Sequence, residues 1–254
     1  MHVKLVSVIV AVKDDAAGLE RTLVSITNQP NIAEIIVIDG GSTDGSVDIV
    51  RAYQAQIHFW ETGLDSGISD AFNRGIAHST GDLVAILNAG DEWYPDILPR
   101  ISDAAEQHPQ VIIHGSIEFL RPGGHPSHVI RPESGRLARR MSVFHPTLFV
   151  PRTVYSEVGE YSTSYQYAMD CEWVHRAVQY GVGFHEIQGP LARMELGGRS
   201  DIRYWRSLSE YRKSVVTHGL CGSVKAGYFF FLGLFRKTVA RVFLLEKIRP
   251  LRGF

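Results

Sequence analysis

The stretch Leu83-Val84-Ala85-Ile86-Leu87-Asn88-Ala89-Gly90-Asp91 decides the fold. A short apolar run stops abruptly in an amide, a glycine and a carboxylate. A run of this kind reads as a strand buried on both faces, as in a parallel sheet. Ile35-Ile36-Val37-Ile38-Asp39-Gly40-Gly41-Ser42-Thr43-Asp44 repeats the pattern. In open α/β sheets the ligand crevice lies just outside the carboxyl ends of the strands. Two strands ending there in Asp, Asn and Gly predict a site for a polar ligand that needs hydrogen-bond acceptors and a cation.

Working outward, Val3 to Val12 reads as a first buried strand, closed by Lys13-Asp14-Asp15. Leu19, Leu23 and Ile26 have helical spacing, and Asn28-Gln29-Pro30 ends that helix. Asp44-Gly45-Ser46 can cap a helix through Val47, Ile49 and Val50. Ile57 to Trp60 predicts a third strand, Ile68 to His78 a helix, Pro95 to Gln107 another, and Val111 to Ile117 a further strand. Alternating strands and helices predict a doubly wound, mostly parallel α/β sheet with right-handed crossovers. Arg121 to Arg140 is rich in proline, glycine and basic residues and reads as a loop or short irregular hairpin. Beyond it come a strand-like run at Phe144 to Val150 and helices near Thr153 to Val158, Asp170 to Tyr180 and Ile202 to His218, with a last strand at Leu191 to Met194.

The 254 residues suffice for one sizeable domain with an annex, and the 44% hydrophobic and 21% charged content is ordinary for a globular chain. A net charge of −1 provides no whole-protein field to draw the chain to nucleic acid. Cys171 and Cys221 lack metal-binding spacing and point to a reducing, cytoplasmic location; no secretory signal is read before the first strand. The division expected is a main domain over residues 1–218 and a helical tail over 219–254. In that tail Ala226 to Phe235 is apolar but too short to cross a bilayer as a helix. Arg236, Lys237, Arg241, Lys247, Arg249 and Arg252 follow among Val239, Val242, Phe243, Leu244 and Leu245. An apolar face beside a basic one suits an interfacial helix at the inner membrane surface; a helix packed on the core or in a homodimer explains it equally.

The candidate residues follow from the strand ends. Asp39 can accept from a nucleobase N–H or a ribose hydroxyl, or it simply forms the turn that Asp-Gly-Gly-Ser favours. Asp91 is the candidate metal ligand, because a hard cation uses one or two protein carboxylates and completes its shell with phosphate oxygens; the alternative is a cap for the helix that follows. A nucleotide-sugar with Mg²⁺ or Mn²⁺ fits such a site. Trp93 or Tyr94 could stack on an acceptor sugar or be buried in the core. His145, next to Pro146, could contact a phosphate or the acceptor or be structural.

Ser7-Val8-Ile9-Val10, Val37 to Ser46, Asn73-Arg74-Gly75, Thr80-Gly81-Asp82 and Leu87 to Asp91 stand in this order. The set resembles the family 2 inverting glycosyltransferases, which have the GT-A fold. Asp65 to Asn73, His145-Pro146-Thr147-Leu148-Phe149, Tyr161, Asp170-Cys171-Glu172-Trp173 and Gly197-Gly198-Arg199-Ser200 resemble a bacterial subgroup that builds exopolysaccharides and glycolipids. The resemblance covers about residues 4 to 218. It implies a nucleoside contact for Asp39, a metal contact for Asp91 and a general base at Asp170, with Glu172 the runner-up base or an acceptor contact. It places Asp70, Asn73, Asn88 and Arg199 on the donor side, and Trp93 and His145 on the acceptor side. The implied donor is a nucleotide-sugar, UDP-linked first, and the implied acceptor a saccharide or polyprenyl-linked hydroxyl.

The chain departs from the family pattern in three places. Asn88 and Gly90 stand where many members have acids, Phe72 where many have Arg, and Lys13-Asp14 where Tyr-Asn is common. Arg74, Arg193 or Arg199 are the candidates to replace the missing diphosphate contact. A nucleotidyltransferase would want a glycine-rich basic loop after the first strand, which Lys13 to Gly18 does not supply. A dinucleotide oxidoreductase would want G-x-G-x-x-G there. A degenerate, non-catalytic sugar-nucleotide binder or scaffold is the remaining alternative.

Overall fold

The structure is a computed structural model that describes residues 5–30, 34–197 and 203–248, with side chains to residue 236 and at 238. It begins with β1 (Val6–Val12), α1 (Ala16–Thr27), β2 (Glu34–Asp39), α2 (Ser46–Ala52), β3 (Phe59–Thr62), α3 (Ile68–His78) and β4 (Leu83–Asn88). Then follow β5 (Glu92–Trp93), α4 (Ile97–Gln107), β6 (Ile112–Arg121), β7 (His125–Ile130), β8 (Phe149–Pro151), α5 (Arg152–Val158), α6 (Met169–Gln179) and β9 (Phe184–Glu195). Two helices close the chain, α7 (Tyr204–Thr217) and α8 (Ser223–Ile248).

The sheet order is β3-β2-β1-β4-β8-β6-β9-β5, with β7 paired to β6. The first four strands are parallel. Strand order reverses around β1, which has β2 on one side and β4 on the other. That switch point opens a crevice at the carboxyl ends of β1 and β4. Beyond β4 the sheet is mixed: β8 runs antiparallel to β4 and β6, and β5 runs antiparallel to β9. This is a GT-A-like α/β sheet flanked by helices.

Period-two alternation explains why both faces are covered. Val6, Val8, Val10 and Val12 face α1 and α4 through Leu19, Leu23 and Ile101, whereas Ile9 and Ala11 face the opposite layer with Phe72 and Trp173. Gly75 lets α3 lie close on β1, since a Cβ there would stand 2.4 Å from Ile9 Cγ2. Glu34 ties the amino ends of the strands together, accepting from Ser7 Oγ and from the backbone N–H groups of Thr80 and Gly81.

Several boundaries move from the sequence expectation. The third strand lies two residues later, because Ile57 packs in the core ahead of the ladder that starts at Phe59. The Phe144 to Val150 run splits into a 3-10 turn at His145–Thr147 and the short β8, because Pro146 supplies no N–H to a ladder. The Arg121–Arg140 segment contains a true hairpin strand, β7 on β6.

Candidate active site

Three loops meet at the switch point. Asp14 and the Ser42-Thr43 turn are cross-linked: Thr43 N–H donates to Asp14 Oδ1 at 2.8 Å, and Asp14 N–H donates to Ser42 Oγ at 2.8 Å. Asp44 Oδ2 accepts from Ala16 N–H, and Asp15 Oδ1 caps α1 through Gly18 N–H. The loop after β4 is held from behind by Thr22, whose Oγ1 donates to Asp91 O at 2.7 Å and accepts from Gly90 N–H at 3.0 Å. Gly90 sits at φ 95°, where a side chain would be strained. This frame aims Asn88 and Asp91 at the 3-10 turn bearing His145.

His145 joins two acids. Its Nε2 lies 3.3 Å from Asp91 Oδ2 and its Nδ1 lies 3.7 Å from Asp170 Oδ2, with 14% of its side chain exposed. Burial opposes the charge on the imidazole, but the Asp170 and Asp91 carboxylates outweigh it and raise the pKa to about 9. Burial also opposes charge on Asp170; contact with His145 and the Cys171 N–H outweigh it and hold the Asp170 carboxyl below its ordinary range. Asp170 is therefore ionised at neutral pH. It is the second residue of α6, where the helix N-terminus also favours the anion, and it caps no helix.

The metal question turns on the same corner. Asp91 Oδ2 accepts from Asn88 N–H at 3.0 Å, so Asp91 closes its own loop and does not cap α4, which starts at Ile97 after Asp96. Among the described residues no hydrogen bond reaches Asp91 Oδ1, and Asn88 Oδ1 is buried with no partner. Asn88 Nδ2 stands 3.0 Å from His145 Nε2. Two oxygens without donors suit a divalent cation that draws its remaining ligands from phosphate. Among the described residues no group of three or more His, Cys, Asp and Glu side chains could hold a metal alone. The residues thus fit a sparse site completed by a bound ligand.

Lys13, Asn88, His145 and Asp170 line one cleft of about 1230 Å³. Other expected residues are placed elsewhere. Asp39 is fully buried and accepts from the N–H groups of Gly41 and Ser42 and from Thr62 Oγ1, so it is the hub of its turn. Asp70 accepts from Ser66 N–H on the lip of α3. Both ends of the Asn73 amide bind the Tyr161 backbone, at 2.9 and 2.8 Å. Trp93 is 3% exposed and donates from Nε1 to Pro146 O, so it supports the His145 turn and presents no stacking face. Glu172 is 3% exposed and points to Arg176 and His218, at 2.7 and 3.0 Å, away from Asp170. Arg74 pairs with Glu61, and Arg193 pairs with Glu118 over the Tyr94 ring. Arg199 lies outside the described residues. Lys13, just past the end of β1, adds a cation to the cleft lining. Thr22 was missed because its partners lie nearly seventy residues away.

The fold and the strand-end acids define a GT-A-type transferase scaffold. The model of the family described as "Glycosyl transferase family 2" matches residues 7–154, and the chain belongs to that family. It is 32% identical over 180 residues to an uncharacterized glycosyltransferase of Mycobacterium tuberculosis, covering 68% of each chain. It is 27% identical over 183 residues to a PGL/p-HBAD biosynthesis glycosyltransferase of Mycobacterium bovis, covering 68% of this chain and 69% of that one. Among solved structures it is similar to S. aureus TarS 1-349 in complex with UDP, with a TM-score of 0.67, 15% identity and coverage of 97% and 75%. It is also similar to the mannosyltransferase PcManGT from Pyrobaculum calidifontis in complex with GDP-Man and Mn2+, with a TM-score of 0.66, 18% identity and coverage of 97% and 76%.

Proposed function

We propose that this chain transfers a sugar from a nucleotide-sugar to an acceptor hydroxyl with inversion at the anomeric carbon, in the assembly of a glycolipid or polysaccharide. The observation that carries the reading is Asp170, an ionised carboxylate on the cleft wall opposite the strand ends. Asp170 accepts the acceptor hydroxyl proton as the acceptor oxygen attacks the anomeric carbon. The bond from that carbon to the diphosphate oxygen breaks on the opposite face, and the nucleoside diphosphate leaves. His145 keeps Asp170 charged and oriented. Lys13 and the amide of Asn88 face the donor half. Asp91, with Asn88 Oδ1, would hold Mg²⁺ or Mn²⁺, which when bound neutralises charge on the leaving diphosphate. Asp39 acts on the nucleoside indirectly, by shaping the turn beside it. The UDP-bound and GDP-Man-bound relatives support a nucleoside diphosphate donor, UDP-linked first.

The division at residue 218 into a transferase domain and a helical tail belongs to the same proposal, as does peripheral attachment to the cytoplasmic membrane surface. Among the described residues no helix is long and apolar enough to cross a membrane. The test is the anomeric configuration of the product, read by NMR after turnover of an α-linked nucleotide-sugar. A β-linked product is expected; an α-linked product overturns single displacement.

A further inference from the structure

The helix that bears Asp170 has no cap of its own. Capping from within α6 would need an acceptor side chain at Ala168, and another in the first turn reaching back to the Ala168 N–H from Cys171. Neither is a residue that does this, and Ala168 makes no side-chain cap. Asp170 accepts from Cys171 N–H and faces His145. The acceptor comes instead from α7. Glu210 Oε2 accepts from Tyr167 N–H at 2.8 Å, from Ala168 N–H at 3.0 Å and from Gln166 N–H at 3.1 Å. Its Oε1 also accepts from Gln166 N–H, at 3.1 Å. One carboxylate thus gathers three successive backbone donors from more than forty residues away in the chain.

The strip that Glu210 holds forms part of the cleft wall. Gln166, Tyr167, Met169 and Asp170 line the cleft, and Gln166 and Tyr167 also line a second cavity of about 560 Å³ on their other side. A strip with open space on both sides is set by its hydrogen bonds more than by packing. Its near end is held by Asn73, which binds the Tyr161 backbone through both ends of its amide. Its far end, which leads into α6, is held by Glu210. The support behind Glu210 is fixed: Ser214 Oγ of α7 lies 2.7 Å from His175 Nδ1 of α6, both fully buried, and Tyr211 Oη donates to Leu137 O. Glu210 lies outside residues 7–154, the part of the chain that the family model matches.

We propose that Glu210 is a positioning residue: by holding the entry to α6 it sets where the Asp170 carboxylate stands in the cleft. The inference rests on the transferase reading, in which Asp170 takes the acceptor proton. Reach matters here more than charge. A carboxamide oxygen at the same distance can accept the same N–H groups, whereas an aspartate falls one methylene short. A displacement of about 1 Å at a reacting group costs up to about 10²-fold in rate. Loss of Glu210 therefore appears in kcat and leaves donor binding at the strand ends alone.

The test is a double-mutant cycle on the full chain. UDP-N-acetylglucosamine and GDP-mannose with Mn²⁺ are the donors, water is the acceptor, and release of nucleoside diphosphate is read. Glu210→Ala and Glu210→Asp should each lower kcat at least tenfold with the donor KM within threefold. Glu210→Gln should stay within threefold of the native kcat. In an Asp170→Asn background Glu210→Ala should cost less than twofold more, because the group it positions is gone. Hydrogen exchange at the Gln166, Tyr167 and Ala168 amides should quicken at least tenfold in Glu210→Ala and stay native in Glu210→Gln. Native kcat in Glu210→Ala overturns the proposal. So does a tenfold loss that persists in the Asp170→Asn background, the mark of a merely structural role. Unchanged exchange at the three amides overturns it whatever the turnover. If Asp170→Asn alone turns over at the native rate, the base assignment fails and this inference with it; if the native chain turns over neither donor, the transferase reading itself fails.

Discussion

The imidazole Nδ1 of His145 lies 3.7 Å from the Asp170 carboxylate, across a gap that neither residue's own element could span. His145 comes from a 3-10 turn beside β8, and Asp170 from the first turn of α6. The sheet brings them together, and Asp91 on the far side of the ring completes a carboxylate–imidazole–carboxylate row. The row fixes where charge stands before any substrate arrives.

Replacing Asp170 with Asn keeps the shape and removes the proton acceptor. Transfer should fall by about 10²–10⁴-fold, the usual contribution of a positioned general base. Nucleotide affinity should stay within a factor of about three of the native value if Asp170 acts on the acceptor side. Steady-state turnover together with nucleotide titration separates the two effects. A variant with native turnover would assign the base elsewhere.

Removing His145 should cost stability as well as activity. His145→Ala leaves two carboxylates in a largely desolvated corner without their shared cation. Breaking a buried charge arrangement from one side costs about 3–5 kcal/mol. Urea titration of the two proteins should show that loss in the transition midpoint with little change in slope.

Acid should unfold the chain through two other histidines. His114 and His175 are buried, and burial lowers both pKa values to about 4; His175 is lowered further by His218 and His114 by His185. His114 Nδ1 and His175 Nε2 have no hydrogen-bond partner. The unfolded chain binds these protons near pH 6.5, whereas the folded chain resists them to about pH 4. Stability is therefore fully present above about pH 6.5 and falls as pH drops toward 4, by about 3 kcal/mol per histidine. Denaturation midpoints at pH 7 and pH 5 should differ clearly, and His114→Gln should reduce that difference. A pH-independent midpoint over this range would contradict the assignment.

The parallel half of the fold was legible because each strand is a short apolar run ending in Asp, Asn or Gly, and period-two burial carries both layers. Asp170 and Asp91 were singled out through their motifs, and the structure brings both to His145. The contacts of Asn73, Trp93 and Glu172 were not legible, because sequence shows a polar or aromatic group near a motif but not which way it points. Asn73 turned to Tyr161, Trp93 to Pro146 and Glu172 to Arg176, each through a tertiary contact outside its own motif. The row itself was not legible, since His145 lies fifty-four residues after Asp91 and twenty-five before Asp170.

The central claim is a nucleoside diphosphate site at the carboxyl ends of β1 and β4, completed by a divalent cation on Asp91. The most direct measurement is the melting temperature with UDP, GDP, dTDP or CMP, with Mn²⁺ or with chelator, in the native chain and in Asp91→Ala. A ligand at a hundredfold its Kd stabilises the folded state by about 2.7 kcal/mol, roughly 5 °C or more for a chain of this size. The account predicts such a rise with one nucleoside diphosphate and Mn²⁺, lost on chelation and in Asp91→Ala. A native chain whose melting temperature no nucleotide moves at millimolar concentration, or a rise that persists in full in Asp91→Ala, would contradict it.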